Sequence, residues 1–178
     1  MRAVLISIRP KWCKLIAAGR KTLELRKNMP SIPTPFKCFI YQTTKADSVK
    51  DITPDFGMVI GEFTCDTILR HCEMANADIA EMQSCVKREK ILEYSGGHEV
   101  YGWHISDLQI YEKPLPIYAF NKPCIWPEQP YCPVCKFGME LTNFDHCQGS
   151  QETEWLCQNF LSFPPQSWCY VEVPEDAA

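Results

Sequence analysis

Two bases and an acid lie close together in Leu15-Ile-Ala-Ala-Gly-Arg-Lys-Thr-Leu-Glu-Leu-Arg26, as Lys21, Glu24 and Arg26. Such a set can bind an anion or a polar ligand edge, with the carboxylate orienting the guanidinium. If the site runs a reaction, Lys21 and Glu24 are the catalytic candidates, with Glu24 activating water as a general base beside the ammonium. The same residues also read as a solvated helix-to-strand turn carrying an ordinary surface ion pair, which is a weak interaction.

The elements that must hold these groups are short. Ser7 is placed to cap a helix, Pro10 suits its first turn, and Trp12, Leu15 and Ile16 recur at helical spacing before Gly19 supplies a left-handed stop. A strand follows at once, with Leu23 and Leu25 facing a core and Thr22, Glu24 and Arg26 sharing the other face. Strict alternation would put Lys21 among the leucines. Burying a lone ammonium is costly, so Lys21 is expected to escape to solvent at the turn beside Gly19.

Two other stretches carry chemistry. Phe163-Pro-Pro-Gln-Ser-Trp-Cys-Tyr-Val-Glu172 enters its strand through two prolines, and Gln166 and Trp168 offer hydrogen bonds and a stacking plane to a base. Core packing is the other fate open to Trp168. Upstream, Cys132 and Cys135 have C-x-x-C spacing, followed by Lys136 and Gly138 as in a zinc knuckle, and Cys147 and Cys157 supply two more thiolates for a tetrahedral zinc. Cys124 and His146 are substitutes for the later ligands. Free thiols and a redox C-x-x-C are the competing readings. Pro130 and Pro133 mark an irregular loop rather than the strand-then-helix setting of a redox motif. A closed four-ligand zinc would be structural, ordering the insertion at 124–160.

With 178 residues and 46% hydrophobic content, the chain can bury a proper core as one domain over 1–178. No run approaches the roughly 18 apolar residues of a membrane span, and the N-terminal apolar segment is broken by Arg9, Pro10 and Lys11, unlike a signal peptide. A cytoplasmic protein is expected. Its eleven cysteines fit a disulfide framework poorly, and Cys13, Cys38, Cys65 and Cys169 read as reduced core residues. A net charge of −4 argues against a broad duplex-binding surface, whereas Lys11, Lys14, Arg20, Lys21, Arg26 and Lys27 gather positive charge on one edge.

Runs rich in branched and aromatic residues predict strands at 3–8, 22–26, 37–43, 58–68, 101–111 and 167–173, and six strands suggest a barrel. One long helix is expected over 76–94, with Ile79, Met82, Val86, Ile91 and Leu92 inward and Gly96-Gly97 closing it. The polar stretch 44–57 reads as a loop.

Gly-x-Lys-x-x-Glu-x-Arg after a short N-terminal helix resembles the signature of the activating-signal-cointegrator homology (ASCH) domain, a relative of the PUA RNA-binding fold. The resemblance continues in order through Val4-Leu-Ile-Ser-Ile8, Lys37-Cys-Phe-Ile-Tyr-Gln-Thr43, Val59-Ile-Gly-Glu-Phe63, Tyr101-Gly-Trp-His-Ile-Ser-Asp-Leu108 and Pro164-Pro-Gln-Ser-Trp-Cys-Tyr-Val171. It implies an α+β, PUA-like β-barrel of about six strands with flanking helices. In that fold a cleft at Lys21, Glu24 and Arg26 would receive single-stranded RNA, a nucleotide or a modified nucleoside. A bacterial ASCH group that hydrolyses N-acetylated cytidine with a lysine, a threonine and a glutamate offers a second function. Lys21 matches its lysine, but Glu24 occupies the threonine position. A third reading is an interaction adaptor of phage or mobile-element origin, using the cysteine-rich insertion as its contact surface.

Overall fold

The computed structural model describes residues 2–48, 54–122 and 161–172. Its first strand, β1 (Arg2–Ile8), is apolar on both faces and lies inside a five-stranded sheet. It pairs in parallel with β3 (Phe36–Gln42) and antiparallel with β8 (Trp168–Glu172), while β3 continues antiparallel to β4 (Met58–Cys65) and β4 to β7 (Ser106–Pro116). Alternation along these strands divides the side chains. Val4, Ile6, Cys38, Ile40 and Phe63 build one core, and Leu5, Phe39, Val59 and Val171 build a second with Phe120 and Leu161.

The parallel β1–β3 pair requires a crossover, and α1 (Pro10–Ala17) with β2 (Leu23–Arg26) supplies it. β2 belongs to a separate three-stranded sheet, at the edge of β6 (Tyr101–His104), whose other neighbour is β5 (Ile68–Leu69). The described strands therefore form two sheets rather than the closed six-stranded barrel expected. The reason lies in two interruptions. The expected strand at 58–68 breaks at Asp66-Thr67 and that at 101–111 breaks at Ile105, and at each break the chain passes from one sheet to the other. The corner is fixed by backbone bonds from His104 N to Thr67 O (3.0 Å) and from Ile105 N to Thr22 O (2.9 Å), and by Asp66 Oδ1 against His104 Nδ1 (2.7 Å). Such corners, made by strands that switch sheets, are a known way to turn one layer into two.

The helices also depart from expectation. α1 starts after an extended Arg9 with Pro10 in its first turn, and Ser7 is not its cap: Ser7 stays in β1, and its hydroxyl donates to Pro165 O at 2.6 Å. The C-terminus ends as Gly19 predicts. Gly19 is left-handed (φ 66°), with Gly19 N donating to Ile16 O and Arg20 N to Leu15 O, the paired bonds of a Schellman stop. The long helix expected over 76–94 is two helices, α2 (Ala77–Ser84) and α3 (Arg88–Ser95), separated by a left-handed Cys85 (φ 58°) and an extended Lys87. The break resets the helical phase. Ala80 and Ile91 turn inward against Leu23 and Leu25 and Ala77 is buried, whereas Ile79, Met82 and Leu92 are exposed. Gly96, left-handed, closes α3 as expected. No helix among the described residues is long and apolar enough to cross a membrane.

Cys13, Cys38 and Cys65 are buried and unpaired, and Cys169 is half-buried. Burial pushes the Cys65 thiol up to about 12 and raises those of Cys13 and Cys38 as well, so these sulfurs stay protonated packing groups.

Candidate functional site

Lys21 does not escape to solvent. It is 2% exposed, which the cost of burying a lone ammonium would forbid, but it is not alone. Its Nζ donates to Leu23 O at 2.8 Å and Ser84 O at 3.0 Å, and lies 3.2 Å from Glu24 Oε2. An ammonium has three protons to place, and here three acceptors surround it. Ser84 is the last residue of α2, so its carbonyl is one of those a helix end leaves without an internal partner. It also carries the negative end of the helix dipole, where a cation is favoured. The break at Cys85 is what turns this carbonyl toward β2, and Thr22 N donating to Gln83 O (2.9 Å) secures the same junction. The Trp12 ring covers the ammonium at 5.2 Å.

Glu24 is buried between two cations, with Oε2 facing Lys21 and Oε1 3.1 Å from Arg26. The Lys21 contact is an ion pair off the hydrogen-bonding direction, and Oε2 has no hydrogen-bond partner. Arg26 Nε and Thr43 Oγ1 are buried in the same unsatisfied state. The same terminal nitrogen of Arg26 that faces Glu24, Nη2, donates to Ser7 O at 2.7 Å. Ser7 joins the two sides of the site: its carbonyl holds Arg26, its hydroxyl holds Pro165, and its N–H donates to Ser167 O at 2.8 Å.

These groups lie along a cleft of about 890 Å³, within the range of small-ligand sites. Lys21, Glu24, Arg26 and Gln166 all line it. Leu25, expected behind the strand, also reaches it, although only 7% exposed. Trp168 is not among the lining residues. Its ring packs on Trp103 (5.8 Å) and Tyr170 (5.4 Å), and its Nε1 donates to Asn28 Oδ1. The aromatic surfaces on the cleft are instead Trp12 of α1 and Tyr94 of α3, joined by Thr43 and by the bases Arg9, Lys45 and Lys90. Only the basic edge around the first helix signalled part of this in the sequence. The remaining lining residues come from distant segments with no shared motif. Among the described lining residues, Arg9, Lys21, Arg26, Lys45 and Lys90 face one acid, Glu24, in a chain of net charge −4.

Cys132, Cys135, Cys147 and Cys157, with the substitutes Cys124 and His146, lie outside the described residues. Among the described residues, no group of three or more histidine, cysteine or acidic side chains is placed to hold a metal ion.

The architecture is α+β: two sheets meeting at a corner, with a charged cleft where the crossover helix, β2 and α3 converge. No protein-family model matches the chain, and no curated protein sequence matches it. Solved structures do. ASCH from Zymomonas mobilis is similar at 21% identity and a TM-score of 0.53, over 65% of this chain and 73% of that one. A tyrosine-to-phenylalanine variant of the same protein gives 20% identity and 0.53, over 65% and 76% of the two chains. A serine-to-alanine variant gives 21% and 0.53, over 64% and 73%. The fold is the ASCH fold, as the ordered motifs imply.

Proposed function

We propose that the cleft binds single-stranded RNA or a nucleotide, a modified nucleoside among them. The observation that carries this reading is the concentration of basic groups around one carboxylate in an otherwise acidic protein, beside two aromatic rings. Positive lining focuses an anionic ligand, and rings such as Trp12 and Tyr94 give a base a surface to stack on. The ASCH fold of the Zymomonas mobilis neighbours is consistent with it.

The geometry favours binding over hydrolysis of an acetylated cytidine. Lys21 donates to two backbone carbonyls and Glu24 is paired with two cations, so both side chains are already held by the protein's own groups rather than presented to a substrate.

Arg26→Ala is expected to weaken binding of a fluorescent single-stranded oligoribonucleotide by about 1–3 kcal/mol in an anisotropy titration. The variant also lowers stability, because the guanidinium holds both Ser7 O and Glu24, so titrations belong well below its melting temperature. Unchanged affinity in a folded Arg26→Ala protein would place the ligand elsewhere.

A structural zinc on Cys132, Cys135, Cys147 and Cys157 remains part of the proposal, resting on the C-x-x-C spacing and on four thiolates being a donor set that suits zinc. Protein purified without added metal is expected to carry one zinc per chain by elemental analysis. Content far below that, with all the cysteines titrating as thiols, returns the segment to free cysteines. An adaptor role, which would rest on the same segment, has no support from the cleft.

A further inference from the structure

We infer that the cleft takes its nucleotide in phosphorylated form, and that Asp47 occupies Arg9 at the mouth until the phosphate displaces it. This rests on the nucleotide-binding reading above and adds to it the position of the phosphate.

The floor is a poor place for a phosphate. Lys21 is buried, donates to Leu23 O and Ser84 O and is already paired with Glu24, whose carboxylate repels a second anion brought against it. The mouth is different. Arg9, just after β1, and Lys45, on the loop that follows β3, both line the cleft, with no acid beside them among the described lining residues. The loop is pinned to β1, since Thr43 N donates to Ile8 O at 2.9 Å, so these two bases are carried on one tethered unit. Lys45 makes no ion pair among the described residues, while Arg9 Nη1 donates to Asp47 Oδ1 at 2.6 Å.

That ion pair is exposed, with side chains at 47% and 36%, and Asp47 does not itself line the cleft. Exposed pairs of this kind are weak, whereas a phosphate brings several strong acceptor oxygens to the same guanidinium and can reach Lys45 as well. The carboxylate therefore behaves as a competitor, keeping Arg9 oriented in the empty cleft and yielding it to a stronger anion.

Calorimetric titration of the four ribonucleosides and their 5′-monophosphates tests this in three proteins: wild type, Asp47→Asn and Arg9→Ala/Lys45→Ala. In wild type the best monophosphate is expected to bind about tenfold or more tightly than its nucleoside. Asp47→Asn should tighten the monophosphate by roughly two- to fivefold and leave the nucleoside unchanged, in keeping with the small strength of an exposed pair. Arg9→Ala/Lys45→Ala should erase the preference. All three positions are exposed, so the variants fold, which circular dichroism checks. Equal affinity for nucleoside and monophosphate overturns the phosphate site alone, as does a monophosphate affinity untouched by Asp47→Asn. Failure of every nucleoside, nucleotide and single-stranded oligonucleotide to bind overturns the nucleotide-binding reading together with it.

Discussion

Lys21→Met is expected to destabilise the protein by about 3–5 kcal/mol in urea unfolding, the range for breaking a buried ion pair from one side. The methionine fills much of the same volume, so the loss is mainly electrostatic. Leu23 O and Ser84 O lose their donor, and Glu24 is left buried with Arg26 as its remaining cation. The substitution also removes one of the links between α2 and β2, leaving Thr22 N to Gln83 O and the apolar packing on Leu23 to hold that junction. Lys113→Met, on an exposed strand position, is the control and should change stability by no more than about 0.5 kcal/mol. Equal effects at the two lysines would show that the buried ammonium holds nothing together. Adding Glu24→Gln to Lys21→Met should cost less than it does alone, because the two residues share one network.

Trp103→Ala is expected to cost about 3–5 kcal/mol, as truncation of a large buried aromatic does. Trp103 is fully buried in the central strand of the small sheet, paired in register with Glu24 on β2 and Ile68 on β5. Its indole crosses to the five-stranded sheet, packing edge-on to Phe36 at 5.7 Å and against Trp168 at 5.8 Å. The ring thus packs between the two layers, and its loss opens a cavity where they meet. Trp103→Phe should be milder on two counts: it keeps a ring, and it removes an indole N–H that is buried without a partner. An alanine variant losing less than about 1 kcal/mol would mean that the sheets are joined elsewhere.

Both variants act on features that the sequence announces unevenly. Trp103 sits in a run of strand-forming residues and is easily read as core. Lys21 reads from its neighbours in the chain as solvent-exposed, because a lone ammonium is costly to bury. The acceptor that makes its burial possible, the Ser84 carbonyl, lies 63 residues away in the chain. The site was legible to the same extent. Lys21, Glu24 and Arg26 are local to one turn and strand, so their sharing a cleft follows from the motif, whereas the fold brings Gln166 to them, with Ser7 bonded to Pro165 and Ser167 on either side of it. Trp12, Tyr94, Thr43 and Lys45 reach that cleft from separate elements. Trp168, which looked suited to stacking, turns instead into the aromatic row behind it.

Local pattern by itself determined β1, β3 and β8, the Schellman stop at Gly19 and the closure of α3 at Gly96. Each depends on periodicity or on a backbone conformation that glycine adopts readily, and needs no distant partner. The motif order also carried the ASCH fold. Tertiary structure decided the rest: the splitting of 58–68 and 101–111 between two sheets, the break at Cys85, and the burial of Lys21. An interrupted strand or helix reads in sequence like a continuous one, because residues on both sides keep the same composition. Only the bonds made across the break distinguish the two, here His104 N to Thr67 O, Ile105 N to Thr22 O and Lys21 to Ser84 O. Hydrogen-bonding groups released by each break must find partners from elsewhere in the chain, and those partners exist only once the fold has brought them together.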